Sequence, residues 1–268
     1  MRYRLILLVL LVGSSTAYAQ RAPDLATLDR GDGITKLGLD AGFSSLEKPP
    51  YSAALRFELW GQYVTQSGFG FYGALPISLS FGGEGPPAPN ADNAAALNNL
   101  DLGALYVHSG HSLSWVFRGG LALPTASDGR DQSLTRYYAA SPRLTDLALV
   151  SDQWYVRLAV SPLIHADKLF LRADIGIDIN ADSDNYHFLR LNIGGGVDLG
   201  VVAVSLELVN TASFGDFVGE EDFFHAVALT TRFMGKQFQP FLSFGLPIDD
   251  YRRDVNKFWI AGGLQFAP

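Results

Sequence analysis

Between Gln153 and Gly200 the chain holds three consecutive runs in which apolar and polar residues alternate one by one. In Lys168–Asn180, KLFLRADIGIDIN, residues Leu169, Leu171, Ala173, Ile175, Ile177 and Ile179 fall on one side. Phe170, Arg172, Asp174, Gly176, Asp178 and Asn180 fall on the other. A strand projects successive side chains to opposite faces, so each run makes a ribbon with one oily and one charged face. A water-soluble sandwich turns the oily face inward. Here the opposite face is rich in Gly, Arg and Asp, and the pattern recurs along almost the whole chain. That is the signature of apolar residues facing lipid and polar ones facing a lumen.

Twelve such segments are predicted, near 34–45, 51–64, 68–81, 98–108, 112–124, 153–166, 168–180, 187–199, 201–211, 222–234, 237–248 and 257–266. Each is close to the length that crosses a bilayer on a tilt. Their connections alternate. Thr65–Ser67, Ser109–His111, Asp167, Gly200 and Gly235–Lys236 are very short. Leu46–Pro50, Gly82–Leu97, Thr125–Asp152, Ala181–Tyr186, Ala212–Glu221 and Asp249–Asn256 are longer. Outer-membrane barrels have short periplasmic turns and long outer loops, and an even strand number puts both termini on the short-turn side. The expected fold is all-β: an antiparallel, up-and-down transmembrane β-barrel of about 12 strands over residues 34–268.

The N-terminus reads as a secretory leader over residues 1–19. Arg2 and Arg4 precede a short apolar run, Leu5–Val12, and Ala17-Tyr18-Ala19 supplies small residues for cleavage before Gln20. The run is too short to span a membrane. Residues 20–33 are expected to be a polar periplasmic lead-in. No later segment is long and apolar enough for a spanning helix, which leaves a closed barrel as the route to membrane integration. The chain has no Cys, in keeping with passage through an oxidising compartment without a disulfide framework, and its net charge of −7 argues against a nucleic-acid partner.

Leu55, Phe57, Leu59, Phe69, Phe71, Leu75, Ile77, Val204, Leu206, Leu242, Phe244, Ile260 and Leu264 are among the residues expected to face lipid. Tyr51, Tyr63, Tyr106, Trp115, Trp154 and Phe266 are expected in aromatic girdles. An Arg or Lys facing mid-membrane lipid costs about 2–4 kcal/mol, which puts the charged set in the lumen. The lumen-lining and selectivity candidates are Arg56, Glu58, Arg118, Arg157, Arg172, Asp174, Asp178, Arg190, Asp198, Glu207 and Arg232, with Lys36, Asp40 and Asp101 also inward. Such a set either lines a hydrated path or knits the lumen into a plug. Gly194, Gly195 and Gly196 either make room for a bulky neighbour or mark a bend. In the longest loop, Ser141–Val150 is either a short helix or an inward constriction, with a solvated surface loop as the ordinary expectation.

The pair-bearing stretch His108-Ser109-Gly110-His111-Ser112 is the one place where a Ser–His hydrolase of membrane lipid is conceivable. It falls in a short turn that the alternation of links places on the periplasmic side, and the expected role is a polar hairpin turn. His165, His187 and His225 are scattered without a second ligand at metal spacing, so no metal, cofactor or catalytic residue is expected.

The stretch Gly119-Gly120-Leu121-Ala122-Leu123-Pro124-Thr125-Ala126-Ser127-Asp128-Gly129, a strand ending in Leu-Pro-Thr before an acidic loop, resembles the outer-membrane barrel family named for the meta-pathway of phenol degradation. Leu100–Tyr106 and Pro240–Asp250 resemble that family's preceding and penultimate strands. The resemblance implies a barrel of this strand number in the outer membrane, engaged in uptake of small, often hydrophobic molecules. The last strand, Lys257–Phe266, resembles the terminal signal that the outer-membrane assembly machinery reads, with one departure: such barrels usually end on an aromatic residue, and here Ala267 and Pro268 follow Phe266. The expected function is therefore an outer-membrane channel or uptake protein for a small solute, with membrane lipid and that machinery as partners. The alternatives are a non-transporting barrel that displays its long loops and, further off, the lipid hydrolase.

Overall fold

The computed structural model describes residues 23, 25–27, 30–47, 51–82, 93–182, 186–214 and 223–268. The expected leader, part of the lead-in, most of the 82–97 loop and parts of the 46–50, 181–186 and 212–221 loops lie outside the described residues. Among the described residues thirteen strands form one sheet: β1 (Lys36–Leu46), β2 (Tyr51–Val64), β3 (Phe69–Gly82), β4 (Ala94–Leu97), β5 (Leu100–Ser109), β6 (Leu113–Leu123), β7 (Tyr155–Ala166), β8 (Leu169–Asn180), β9 (His187–Asp198), β10 (Val202–Phe214), β11 (Phe223–Phe233), β12 (Phe238–Pro247) and β13 (Asn256–Phe266). The twelve predicted segments correspond to these within three residues at every end, β4 being the addition.

Consecutive strands pair antiparallel, except that β4 and β5 both pair with β3, and β1 closes the ring by pairing with both β2 and β13. Leu39 thus stands opposite Leu59 on one side and Leu264 on the other. Closure removes the sheet edge, whose unpaired N–H and C=O groups hydrocarbon cannot satisfy. β4 and β5 share one stave of the barrel, pairing with the two ends of β3. The interruption at Asn98-Asn99 faces Pro76, which has no N–H to give to a partner strand. The Asn98 N–H bonds to the Pro76 carbonyl, and Asn99 is freed to reach inward.

Alternation sorts the faces as the sequence predicts. On β8, Leu169, Leu171, Ile175 and Ile179 are exposed, whereas Phe170, Arg172, Asp174 and Asp178 are buried inside. The outward belt includes Leu206, Leu242 and Phe71, at 59%, 63% and 70% exposure, a continuous apolar surface that only hydrocarbon accommodates. Tyr51 departs from the expected girdle. The register slips between Tyr51 and Ala53, so its ring turns inward and packs edge-on against Tyr138.

Two segments fill the bore. The longest loop forms a helix, α1 (Arg130–Ala139), and then an irregular 3₁₀ segment, Ser141–Leu149, in which all nine residues are buried. The surface-loop expectation for this stretch is therefore overturned in favour of the inward one. The second filler is the polar lead-in. Leu25, Ala26, Thr27 and Asp32 are each buried within the barrel, not beneath it. Side chains alone fill an eight-stranded barrel, and a twelve-stranded wall leaves space for chain. A short helix, α2 (Asp250–Val255), stands at the rim before β13, capped by Asp249, whose carboxylate accepts from the Arg252 N–H.

A charged plug inside the barrel

The inward charges converge on the buried 3₁₀ segment. Asp146 accepts from Arg143 at 2.9 Å, from Arg157 at 3.1 Å and, more distantly, from Arg56 at 3.5 Å. Arg157 reaches further, to Asp101 at 2.5 Å and Asp178 at 3.2 Å, and Asp178 also holds Arg190 at 2.9 Å. Strand register prepares this set. Arg157 stands opposite Asp178 across β7 and β8, and Arg190 lies opposite Gly176, where any Cβ would come within 2.6 Å of its guanidinium. Arg56 pairs with Glu58 at 2.5 Å on β2.

The lead-in joins from below. Arg30 bridges Glu58 and Asp40. Glu207 accepts from the Ala26 and Thr27 N–H groups at 3.1 and 2.7 Å and from the Thr27 and Thr230 hydroxyls, both at 2.6 Å. Arg172 bonds Asp174 at 2.9 Å and the Gly31 carbonyl at 2.8 Å. The two fillers also hold each other: Arg143 donates to the Ala26 carbonyl at 2.9 Å and Thr145 to that of Thr27 at 3.0 Å. Asn99 pins the end of the 3₁₀ segment, its N–H bonding to the Leu149 carbonyl at 2.9 Å. On the opposite side the plug is apolar. Leu25, Leu144, Leu147 and Leu149 pack with Tyr155, Phe170, Phe188 and Phe224. Gly194 makes room for this contact, since a Cβ there would lie 2.6 Å from Leu25, which decides between the two readings of that glycine.

Burial by itself would raise the Asp146 pKa. The guanidiniums of Arg143, Arg157, Arg56 and Arg30 outweigh it and hold the carboxyl well below the usual carboxylate range. Burial likewise works against the charge on Arg30, but Glu58, Asp40 and Asp146 keep it firmly protonated. Two cavities between wall and plug are small: one of about 30 Å³ beside Arg30, Glu58, Asp101, Arg118 and Asp146, and one of about 20 Å³ beside Ala26, Asp40 and Pro142. Each has room for about one or two waters.

Nine of the eleven lumen candidates touch this plug or its immediate partners. Arg118 is among them, its guanidinium 3.7 Å from the centre of the Tyr72 ring and 3.9 Å from Asp101. Arg232 lies at the short-turn end over Phe241, at 4.7 Å, and donates to the Gln239 carbonyl. Asp198 is a departure: its carboxylate accepts from the Gly200 N–H at 2.7 Å and closes a turn, because the strand ends there. The sequence reading passed over Arg30, Arg143 and Asp146. The opposite charges of Arg143 and Asp146, three residues apart and interleaved with Leu144 and Leu147, carry the signal of a segment that is buried, not solvated. His108, Ser109, His111 and Ser112 are all exposed at the turn between β5 and β6.

The chain has the outer-membrane β-barrel fold. Over 90% of its length it superposes on the whole of the COG4313 outer membrane channel from Pseudomonas putida F1, with a TM-score of 0.59 and 14% identity. It is similar to the NanC porin (TM-score 0.54, 10% identity, 86% of this chain and 98% of that one). It is similar also to the KdgM porin in complex with disordered oligogalacturonate (TM-score 0.53, 11% identity, 86% and 98%). No protein-family model matches the chain, and no curated protein matches its sequence.

Proposed function

We propose that this protein is an integral outer-membrane channel for a small solute, held shut by its own plug. The observation that carries this is what closes the bore. Two parts of the chain do so, residues 25–27 and 30–33 of the lead-in and residues 141–149, joined to a wall of ionised side chains. Without them a polar passage remains, lined by Arg56, Glu58, Arg118, Arg157, Arg172, Asp174, Asp178, Arg190 and Glu207, because twelve strands enclose more than side chains fill. Similarity of fold to proteins described as channels and porins supports the reading. The resemblance to the phenol meta-pathway family points to small, often hydrophobic solutes. The protein is exported by a leader cleaved before Gln20, acts without enzymatic chemistry, and is inserted by the outer-membrane assembly machinery. Intact-mass measurement of the membrane-extracted protein tests the cleavage site.

Single-channel recording in planar bilayers tests the channel. Wild type is expected to be closed for most of the record, with brief openings. Arg172→Ala, which frees the Gly31 carbonyl, is expected to lengthen them. A pure protein that never conducts, in either form, leaves a sealed barrel that displays its loops.

A further inference from the structure

Arg252 on α2 is buried to 1% exposure, yet its Nε, Nη1 and Nη2 all lack a hydrogen-bond partner among the described residues. It is the one guanidinium there in that condition. The contrast with Arg136 on α1, equally buried, is direct: that side chain donates to the Val150 and Ser127 carbonyls and to the Ser133 hydroxyl. What Arg252 does have is a ring near it on two elements. Its guanidinium carbon lies 4.7 Å from the centre of Tyr137 on α1 and 4.6 Å from that of Phe224 on β11. Aromatic faces attract a cation but accept none of its in-plane N–H groups. Nearby acids are committed elsewhere. Asp249 accepts the backbone N–H groups of Arg252 and His225, and Asp250, 89% exposed, faces Arg253. One turn beyond, its backbone N–H bonded to the Arg252 carbonyl, Asn256 is equally buried and leaves both its carboxamide oxygen and nitrogen unpartnered among the described residues.

Buried polar atoms in native proteins are almost always satisfied, and charged ones cost most when they are not. A planar fork with its N–H edge unfilled matches one chemistry best, a carboxylate bound side-on through two parallel hydrogen bonds. We propose that Arg252 and Asn256 form a receptor for the carboxylate of a small organic acid at the outer mouth of the barrel, the guanidinium taking both oxygens and the Asn256 amide donating to one. The fork is closed over in this state, so binding includes a local opening of the α1–α2 contact, where Tyr137 donates to the Tyr251 hydroxyl at 3.0 Å. That opening lowers the apparent affinity by the fraction of time the site is open. The physiological meaning of the site, selection of acidic solutes at the entrance, rests on the channel reading.

Calorimetric titration of the full mature chain in detergent, with benzoate and its uncharged near-isostere benzamide as probes, is the test. Benzoate is expected to bind saturably and at least tenfold more tightly than benzamide. Arg252→Met, which keeps an apolar filling between the rings, is expected to erase the preference, and Arg252→Lys to weaken benzoate at least fivefold. Should Arg252→Met not fold, Asn256→Ala decides, with at least a threefold loss for benzoate and none for benzamide. Equal affinities in the wild type, absent benzoate binding, or a preference that survives these substitutions overturns the proposal. Calorimetry needs no conduction. A conducting protein that ignores benzoate therefore sinks this inference alone, and a benzoate-binding protein that never conducts sinks only the channel.

Discussion

Replacing Asp146 by Asn should unlock the plug. The substitution preserves shape and one acceptor oxygen but removes the charge shared by Arg143, Arg157 and Arg56 at 2.9, 3.1 and 3.5 Å. Taking away one partner of a buried ion pair strands the other's charge and costs about 3–5 kcal/mol. The penalty falls on the closed state, because a displaced segment leaves these arginines to water. At about 1.4 kcal/mol per factor of ten, the ratio of open to closed rises roughly 100- to 5,000-fold. Single-channel recording at neutral pH reads this as open probability. Arg253→Gln provides the control, since it breaks only the exposed pair with Asp250 and is expected to change nothing. Unchanged open probability in Asp146→Asn, with unchanged melting temperature, would refute the idea that this carboxylate holds the segment in place.

Acid should act on the same lock in one direction. A carboxyl whose folded pKa is depressed stabilises the folded arrangement fully above its ordinary pKa, and loses that contribution as pH falls through the depressed value. Asp146 is depressed by the surrounding guanidiniums. Open probability should therefore stay flat from pH 7 to about 5 and rise only below about 4, which a conductance series against pH would show. Gly245→Ala places a methyl 2.0 Å from the Trp259 indole and should destabilise the barrel by about 1–3 kcal/mol, read as a lower melting temperature. Leu206→Arg, at a site 59% exposed midway along β10, should cost about 2–4 kcal/mol of folding free energy in lipid bilayers. Equal stability of that variant in bilayers would mean the belt does not face hydrocarbon.

The period-two pattern alone determined which face of each strand is wet. The alternation of short and long links determined an antiparallel ring, and the absence of any other way to satisfy backbone groups in lipid determined that the ring closes. These are local signals, since each depends on residues a few positions apart. Pairing inside the bore is not local. Thr27 meets Glu207 across 180 residues and Arg56 meets Asp146 across 90, so alternation says that these groups point inward without saying what they meet. The tertiary structure alone decided that the lead-in and the longest loop both turn into the lumen. The physical reason is volume: a closed wall of twelve strands leaves a charged space. That space is filled by whichever segments bring both apolar bulk, as Leu25 and Leu144 do, and opposite charge, as Arg30 and Asp146 do.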